Sequence, residues 1–439
     1  MDELTIMPKY KAYKNSGEDW IGDVPSNWDV VPIRSIFKFR NEKNDPVITD
    51  NILSLSIAHG VTEYSEEGRG GNKRKDDLSA YKIARPNDIV MNSMNVIVGA
   101  VGLSKYFGAI SPVYYALYTE NKGAYIHYYE KVFQNESFQR GLLKFGKGIL
   151  IKLSGTGKLN TIRMKVSTDD LKTLNFPKPP YDEQVAIASF LDKKTAQIDE
   201  AIAIKEKQIE LLKERKQIII QQAVTQGLNS DVRLIETELS WAPKIASHWS
   251  LLPNRLFMEM RRVPVGHAYK NYQLLSLTKQ GVLIRDLSQG AGKQSDFLER
   301  MQEVRKGDLI FCLFDVEETP RTVGLSGHLG MISADYTIFE CSDELTGRFL
   351  EYFYKNADDQ KSLKPLYKGL RKRIPKPRFL RTKCPMPPRN ELIKIIQYLD
   401  AQEVKTAQSI ELIVSQIEKL KEYKTTLNNS AVTGKIKVI

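Results

Sequence analysis

QIELLKERK at 208–216 recurs as QIEKLKEYK at 416–424, with seven of nine positions identical. The offset of 208 holds without a gap over a wider span. Pro179-Pro180 recurs as Pro387-Pro388, Leu191-Asp192 as Leu399-Asp400, and Ala223-Val224-Thr225 as Ala431-Val432-Thr433. Upstream, an offset of 221 relates Trp20, Trp28, Pro32 and Arg34 to Trp241, Trp249, Pro253 and Arg255. RPNDIV (85–90) also resembles RKGDLI (305–310), and Gly102-Leu103-Ser104 recurs as Gly324-Leu325-Ser326. A period above 200 residues marks a duplicated domain rather than a solenoid of short repeats. The chain is one module written twice. Mixed regions at 1–180 and 228–388 each precede a helical segment, at 181–227 and 389–439.

The helical segments carry a regular apolar pattern. From 183 to 226 there is no Gly or Pro. Positions spaced alternately four and three apart include Leu191, Ile198, Ile202, Ile209, Leu212 and Ile219, interrupted by Thr195, Lys205 and Lys216. The second copy gives Leu399, Ile410, Ile413, Ile417, Leu420 and Leu427, with polar lapses at similar places. Such a register predicts a coiled-coil seam. One seam cannot bury itself, so each long helix is expected to pair antiparallel with its copy about a pseudo-two-fold. Gly227 and Gly434 stand where helix terminators belong. The remainder of each half reads as α+β. NDIVMNSMNVIVGAVGLS and GDLIFCLFDV are expected as strands, started from Asn87-Asp88 and Gly307-Asp308 turns. Segments 124–145 and 347–366 are expected as helices whose aromatic faces belong to the core.

The composition is that of a globular protein, with 41% hydrophobic and 27% charged residues. Three scattered cysteines, Cys312, Cys341 and Cys384, make no disulfide framework, and a reducing, cytoplasmic setting is the expectation. The start, MDELTIMPKY, lacks the apolar core of a signal peptide, and no apolar run is long enough for a membrane helix.

Catalytic signatures are missing. The five histidines form no HxxxH or HxE spacing, so no metal site is expected. GTGK at 155–158 lacks the upstream Gly and the following Ser/Thr of a phosphate loop. KPPY at 178–181 resembles the adenine-methyltransferase signature [Asp/Asn]-Pro-Pro-[Tyr/Phe], but Lys178 stands where an amide or carboxylate is needed. Prolines at a helix start account for both copies.

The charge is segregated. The net charge is +12, yet residues 183–226 are neutral and 391–432 carry −1. The excess therefore lies outside the long helices. Residues 361–383 hold ten basic side chains and no acid, Lys368, Arg371, Lys372, Arg373, Arg378 and Arg381 among them. GRGGNKRK at 68–75 places Arg69, Lys73, Arg74 and Lys75 among flexible glycines, and a thinner cluster contains Lys158 and Arg163. Basic, Gly-rich loops suit phosphate contact, and Arg forks can read guanine edges. These twelve residues are the candidate DNA-binding set.

The whole arrangement resembles the DNA-specificity subunit of Type I restriction–modification systems. YKNSGEDWIGDVPSNWDVVPIRSIF and WAPKIASHWSLLPNRLF look like the starts of its target-recognition domains. The segment from NFPKPPYDEQ to VTQGL is similar to its first conserved spacer, and CPMPPRNELIKIIQYLD onward to its second. GTGKLNTI resembles a motif late in a recognition domain, from which GLRKRIPK departs. The resemblance implies a non-catalytic chain whose two domains each read half of a split, asymmetric double-stranded DNA target. It implies helices that set the gap and dock two methyltransferase subunits, which bind S-adenosylmethionine. A separate motor-nuclease subunit would join for cleavage. Competing readings are a self-sufficient DNA methyltransferase or nuclease, and a coiled-coil scaffold whose basic loops bind acidic protein or RNA.

Overall fold

The computed structural model describes residues 7–57, 59–65, 77–94, 100–145, 147–149, 163–285, 298–319 and 321–438. The chain divides into two compact units, Met1–Lys205 with Ser415–Ile439, and Glu206–Val414. Each unit contains one mixed domain and a stretch of both long helices.

In the first unit a four-stranded antiparallel sheet is built from β1 (Lys38–Arg40), β2 (Ile89–Asn92), β3 (Val101–Leu103) and β4 (Tyr114–Tyr118), in the order β1-β4-β2-β3. Two-stranded pairs surround it, among them Leu53–Ser56 with Gly60–Glu63 and Lys82–Ala84 with Gly108–Ile110. Helix α1 (Ile126–Phe133) then packs its aromatic face inward: Tyr128, Tyr129 and Phe133 are buried, and Phe133 and Tyr129 meet Phe176 at 4.9 and 6.2 Å. The strand Asn175–Lys178 leads into α2 (Tyr181–Thr225).

The second unit repeats this plan. Its sheet holds β5 (Met258–Arg261), β6 (Leu309–Phe311), β7 (Val323–Leu325) and β8 (Thr337–Cys341), in the order β5-β8-β6-β7. Helix α3 (Glu344–Asp359) buries Phe349, Phe353 and Tyr354, and α4 (Arg389–Val432) closes the unit's chain path. The core runs from Trp241 and Trp249 through Phe311 and Phe339 to Ala223, Val224, Leu392, Ile395, Ile396 and Leu399.

The expected turns are present. Asn87 and Gly307 have positive φ, which lets the chain reverse directly before Asp88 and Asp308. Both carboxylates are buried and accept from the backbone N–H groups of Arg85 (2.9 Å) and Arg305 (2.6 Å). Arg40 from β1 adds a bidentate pair to Asp88, at 2.6 and 3.0 Å, and Arg261 from β5 takes the same place against Asp308. The repeated Asp is therefore a core ion-pair partner as well as a turn residue. Gly102 and Gly324 sit where a Cβ would press within 3.0 Å of Gly60 Cα or Leu277 Cδ1, so close crossing of neighbouring strands explains their recurrence.

Two helix expectations change. Segment 124–145 is not one helix: α1 stops at Phe133, and Asn135 caps a separate helix Glu136–Gly141 by accepting from Phe138 N at 2.9 Å. An Asn followed by Glu is a capping signal that competes with continued helix. Segment 347–366 starts earlier, at Glu344, because Asp343 accepts from Leu345 N and Thr346 N, and it ends at Asp359.

The long helices begin right after Pro180 and Pro388 and are followed by Gly227 and Gly434, both at positive φ. Within the first unit they pair antiparallel, with Lys424 Nζ 2.6 Å from Asp199 and Lys205 Nζ donating to Gln416 at 2.7 Å. Within the second unit Lys216 Nζ lies 2.5 Å from Glu403. The charged lapses Lys205 and Lys216 in the apolar register thus face partners on the other helix, while the Thr195 hydroxyl donates to Leu191 O of its own helix at 2.7 Å. Leu191, Ile198, Ile202, Ile417 and Leu427 are buried, while Ile209, Leu212, Ile219, Ile410, Ile413 and Leu420 are half-buried. Full burial of each Leu or Ile stabilises by roughly 1.5–3 kcal/mol.

Candidate nucleic-acid interface

The acid-free segment 361–383 winds over one face of the second unit as a turn, a hairpin and a short helix. Leu363, Leu366, Ile374 and Phe379 are its buried anchors. Between them, Lys368 and Arg373 form a two-residue antiparallel bridge through bonds of 2.8 and 3.0 Å, and Lys372 N closes the tip onto Gly369 O at 3.0 Å. Gly369 and Lys372 both adopt positive φ. Ile374 N donates to Leu313 O, and Asp315 N donates to Arg371 O, each at 2.9 Å, tying the hairpin to the end of the β6 loop.

The cations divide into two groups. Lys361 is turned inward to Asp358 at 2.8 Å and to the Val316 and Thr319 carbonyls, so it is structural. Glu317 pairs with Lys364 at 3.2 Å and with Lys372. Lys368, Arg371 and Arg373 are exposed, with no carboxylate partner among the described residues. Arg378 Nη2 donates to Pro365 O and Arg381 Nε to Pro377 O, which leaves their guanidinium charges uncompensated. Of the six candidates in this segment, five have no acidic partner among the described residues, and Lys372 has one. Lys376 and Lys383 join them and were not singled out from the sequence; only their place in the acid-free run pointed to them.

In the first unit the equivalent place in chain order is the strand pair Lys147–Ile149 and Arg163–Lys165, with Lys147 opposite Lys165 and Ile149 opposite Arg163. Arg163 thus has a backbone place, while Lys158 lies outside the described residues. Arg69, Lys73, Arg74 and Lys75 also lie outside them. Lys165 acts electrostatically on Lys82, a residue that sequence reasoning missed. Burial pushes the Lys82 ammonium below its ordinary range, and repulsion from Lys165 adds to this. Lys82 Nζ has one hydrogen bond, to Tyr114 O at 3.1 Å. A half-buried lysine depressed by burial and by a neighbouring cation suits an anionic ligand.

Among the described residues, no group of three His, Cys, Asp or Glu side chains is placed to hold a metal, and no helix is long and apolar enough to cross a membrane.

Comparison with solved structures gives the architecture a precedent. A chain from the structure of a type I restriction–modification (R-M) system, described for its complex assembly and conformational transition, matches with a TM-score of 0.66 at 12% identity. The match covers 93% of this chain and 98% of that one. The HsdS subunit from Thermoanaerobacter tengcongensis matches with a TM-score of 0.54 at 13% identity, over 94% and 98%. The protein has the fold of a type I R-M specificity subunit. No family model matches the sequence, and no curated protein matches it. The specificity-subunit fold extends over both units and both long helices, so it is not a likeness of one domain.

Proposed function

We propose that this chain is the non-catalytic, DNA-reading subunit of a Type I restriction–modification complex, serving in defence against phage in the cytoplasm. Each unit reads one half of a bipartite, asymmetric target in double-stranded DNA. The units share a plan but differ in their basic loops, which suits unlike half-sites better than a palindrome. The long helices set the gap and dock two methyltransferase subunits, which bring S-adenosylmethionine and the adenine-methylation chemistry. A motor-nuclease subunit joins for cleavage. The chain holds no cofactor of its own.

One observation carries the reading: a specificity-subunit fold over 93% of the chain, bearing an exposed hairpin on which Lys368, Arg371 and Arg373 have no carboxylate partner among the described residues. Docking by the helices is supported by exposed apolar side chains on their outer faces, including Leu211, Ile218, Val404 and Leu412 in the second unit.

Long-read methylome sequencing of cells carrying this chain with its methyltransferase tests the proposal. The expected result is adenine methylation at a split motif that disappears when the chain is deleted. Methyl transfer to DNA by the purified chain alone would instead identify a self-sufficient enzyme. Salt-sensitive binding without duplex sequence preference would identify a scaffold for other polyanions.

A further inference from the structure

Leu370 stands at the tip of the 368–373 hairpin with a relative exposure of 103%, the highest of any large apolar side chain described. An aliphatic side chain so placed gains nothing within the protein, and it does not ride on a loose loop. The Lys368–Arg373 bridge, the Lys372–Gly369 turn bond, the Arg371–Asp315 bond and the Ile374–Leu313 bond hold the backbone from four sides. Glu317 braces the stem through Lys372 and Lys364. Lys372 accepts a left-handed conformation that a lysine rarely adopts, so the tip geometry is over-determined by its surroundings.

The residues around the leucine are cationic, not apolar. Lys368, Arg371 and Arg373 flank it, exposed and without carboxylate partners among the described residues. A protein partner would be expected to meet a contiguous apolar patch, since binding hot spots sit within water-excluding surroundings. A lone aliphatic tip inside a ring of cations matches a partner that is anionic outside and apolar within. Duplex DNA has that construction: phosphates line the groove edges, and apolar wedges of other proteins enter between base pairs while cations hold the backbone.

We propose that Leu370 is a wedge that enters the base stack of the half-site bound by the second unit. This rests on the DNA-reading function proposed above and adds a specificity element to it. A wedge opens flexible pyrimidine–purine steps more readily than stiff ones, so the second half-site is read partly through deformability at one such step. Leu370 itself makes no hydrogen bond to a base.

The test uses the full chain with its methyltransferase subunits and duplexes of the methylome-defined target, with 2-aminopurine placed in turn along the second half-site. Wild type is expected to raise fluorescence several-fold at one step. Leu370→Ala should abolish that rise and weaken target binding about tenfold, with an unchanged salt slope and unchanged binding to unrelated DNA. Leu370→Phe should retain the signal. Equal affinity and equal fluorescence for Leu370→Ala and wild type would overturn the wedge. A loss of methyltransferase association without DNA would overturn it too, by making Leu370 a subunit contact. If wild type fails to distinguish the target from unrelated duplex, the DNA-reading function itself falls.

Discussion

The indole Nε1 of Trp28 donates a 2.8 Å hydrogen bond to Glu183, the third residue of α2, and Trp249 repeats this with Glu391, the third residue of α4, at 3.1 Å. Each carboxylate also sits near a helix N-terminus, where negative charge is favoured. Tyr10 and Asn27 add to Glu183, and His248 Nε2 lies 2.7 Å from Glu391. Each indole also abuts the glycine that follows the opposite long helix. A Cβ on Gly434 would lie 3.1 Å from Trp28 Cη2, and one on Gly227 would lie 3.3 Å from Trp249 Cζ2. The repeated Trp therefore binds the start of one helix and the end of the other within its own unit.

Alanine at these glycines tests the junctions. Both have positive φ, so either substitution costs about 1–2 kcal/mol for the left-handed backbone. The steric cost differs. At Gly434 the new Cβ meets the rigid ring of Pro25, with Cγ at 2.6 Å, whereas at Gly227 it meets the Glu391 carboxylate, which can swing aside. Gly434→Ala is expected to destabilise its unit more than Gly227→Ala. Urea midpoints for the two variants check the order, and equal shifts would contradict it.

The Lys216–Glu403 pair predicts a pH-dependent coupling between the helices. Burial raises the Glu403 carboxyl, but Lys216, together with Tyr352, outweighs it and leaves the group below its ordinary range. A depressed folded-state pKa contributes stability above the unfolded pKa, and this is lost as pH falls through the folded value. Both side chains are partly exposed, so the coupling should be no more than about 1 kcal/mol near neutrality. A double-mutant cycle of Lys216→Ala and Glu403→Gln should show it vanish in acid. The Lys205–Gln416 contact has a neutral acceptor and should stay constant over the same range.

The periodic features were legible because their causes are local. The four-three register, the prolines before the helices, the glycines after them and the Asn87-Asp88 and Gly307-Asp308 turns all lie within a few residues of their effects. The repeat also marked Trp28 and Trp249, though not their role, since Glu183 and Glu391 are more than 140 residues away. Pairings across long separations left no pattern. Nothing near Lys372 points to Glu317, and nothing near Arg40 points to Asp88. Counting charges therefore located the cationic segment but could not separate its paired members from its free ones. The break at Asn135 had a readable signal in the Asn-Glu dipeptide, overridden by the aromatic run on either side.

That separation yields a prediction for DNA binding. Arg371→Ala and Arg373→Ala each remove an unpaired exposed cation. If each cation meets one phosphate, the slope of log K against log salt should flatten by about 0.9 per residue, with similar loss on all sequences. A guanidinium that reads a base would instead cost about 1–3 kcal/mol on the target only. Lys372→Ala should change either quantity least, because its charge is already met by Glu317. Binding isotherms at several salt concentrations distinguish these outcomes, and a largest effect at Lys372 would reverse the assignment.

The proposed gap-setting role predicts a change in target without any change in the reading domains. Four residues inserted at matched places in α2 and α4 add about one helical turn, or ~6 Å, to each. At ~3.4 Å per base pair the gap between half-sites should lengthen by roughly two base pairs. Both helices must change together, because the Asp199–Lys424 and Lys216–Glu403 contacts fix their antiparallel register within each unit. An insertion in one helix alone would slip those pairs and should lower stability instead. Methylome mapping of the doubly extended chain should return the same two half-sites with a wider gap. An unchanged gap would remove the helices from that role, and altered half-sites would mean that the insertion had disturbed the domains themselves.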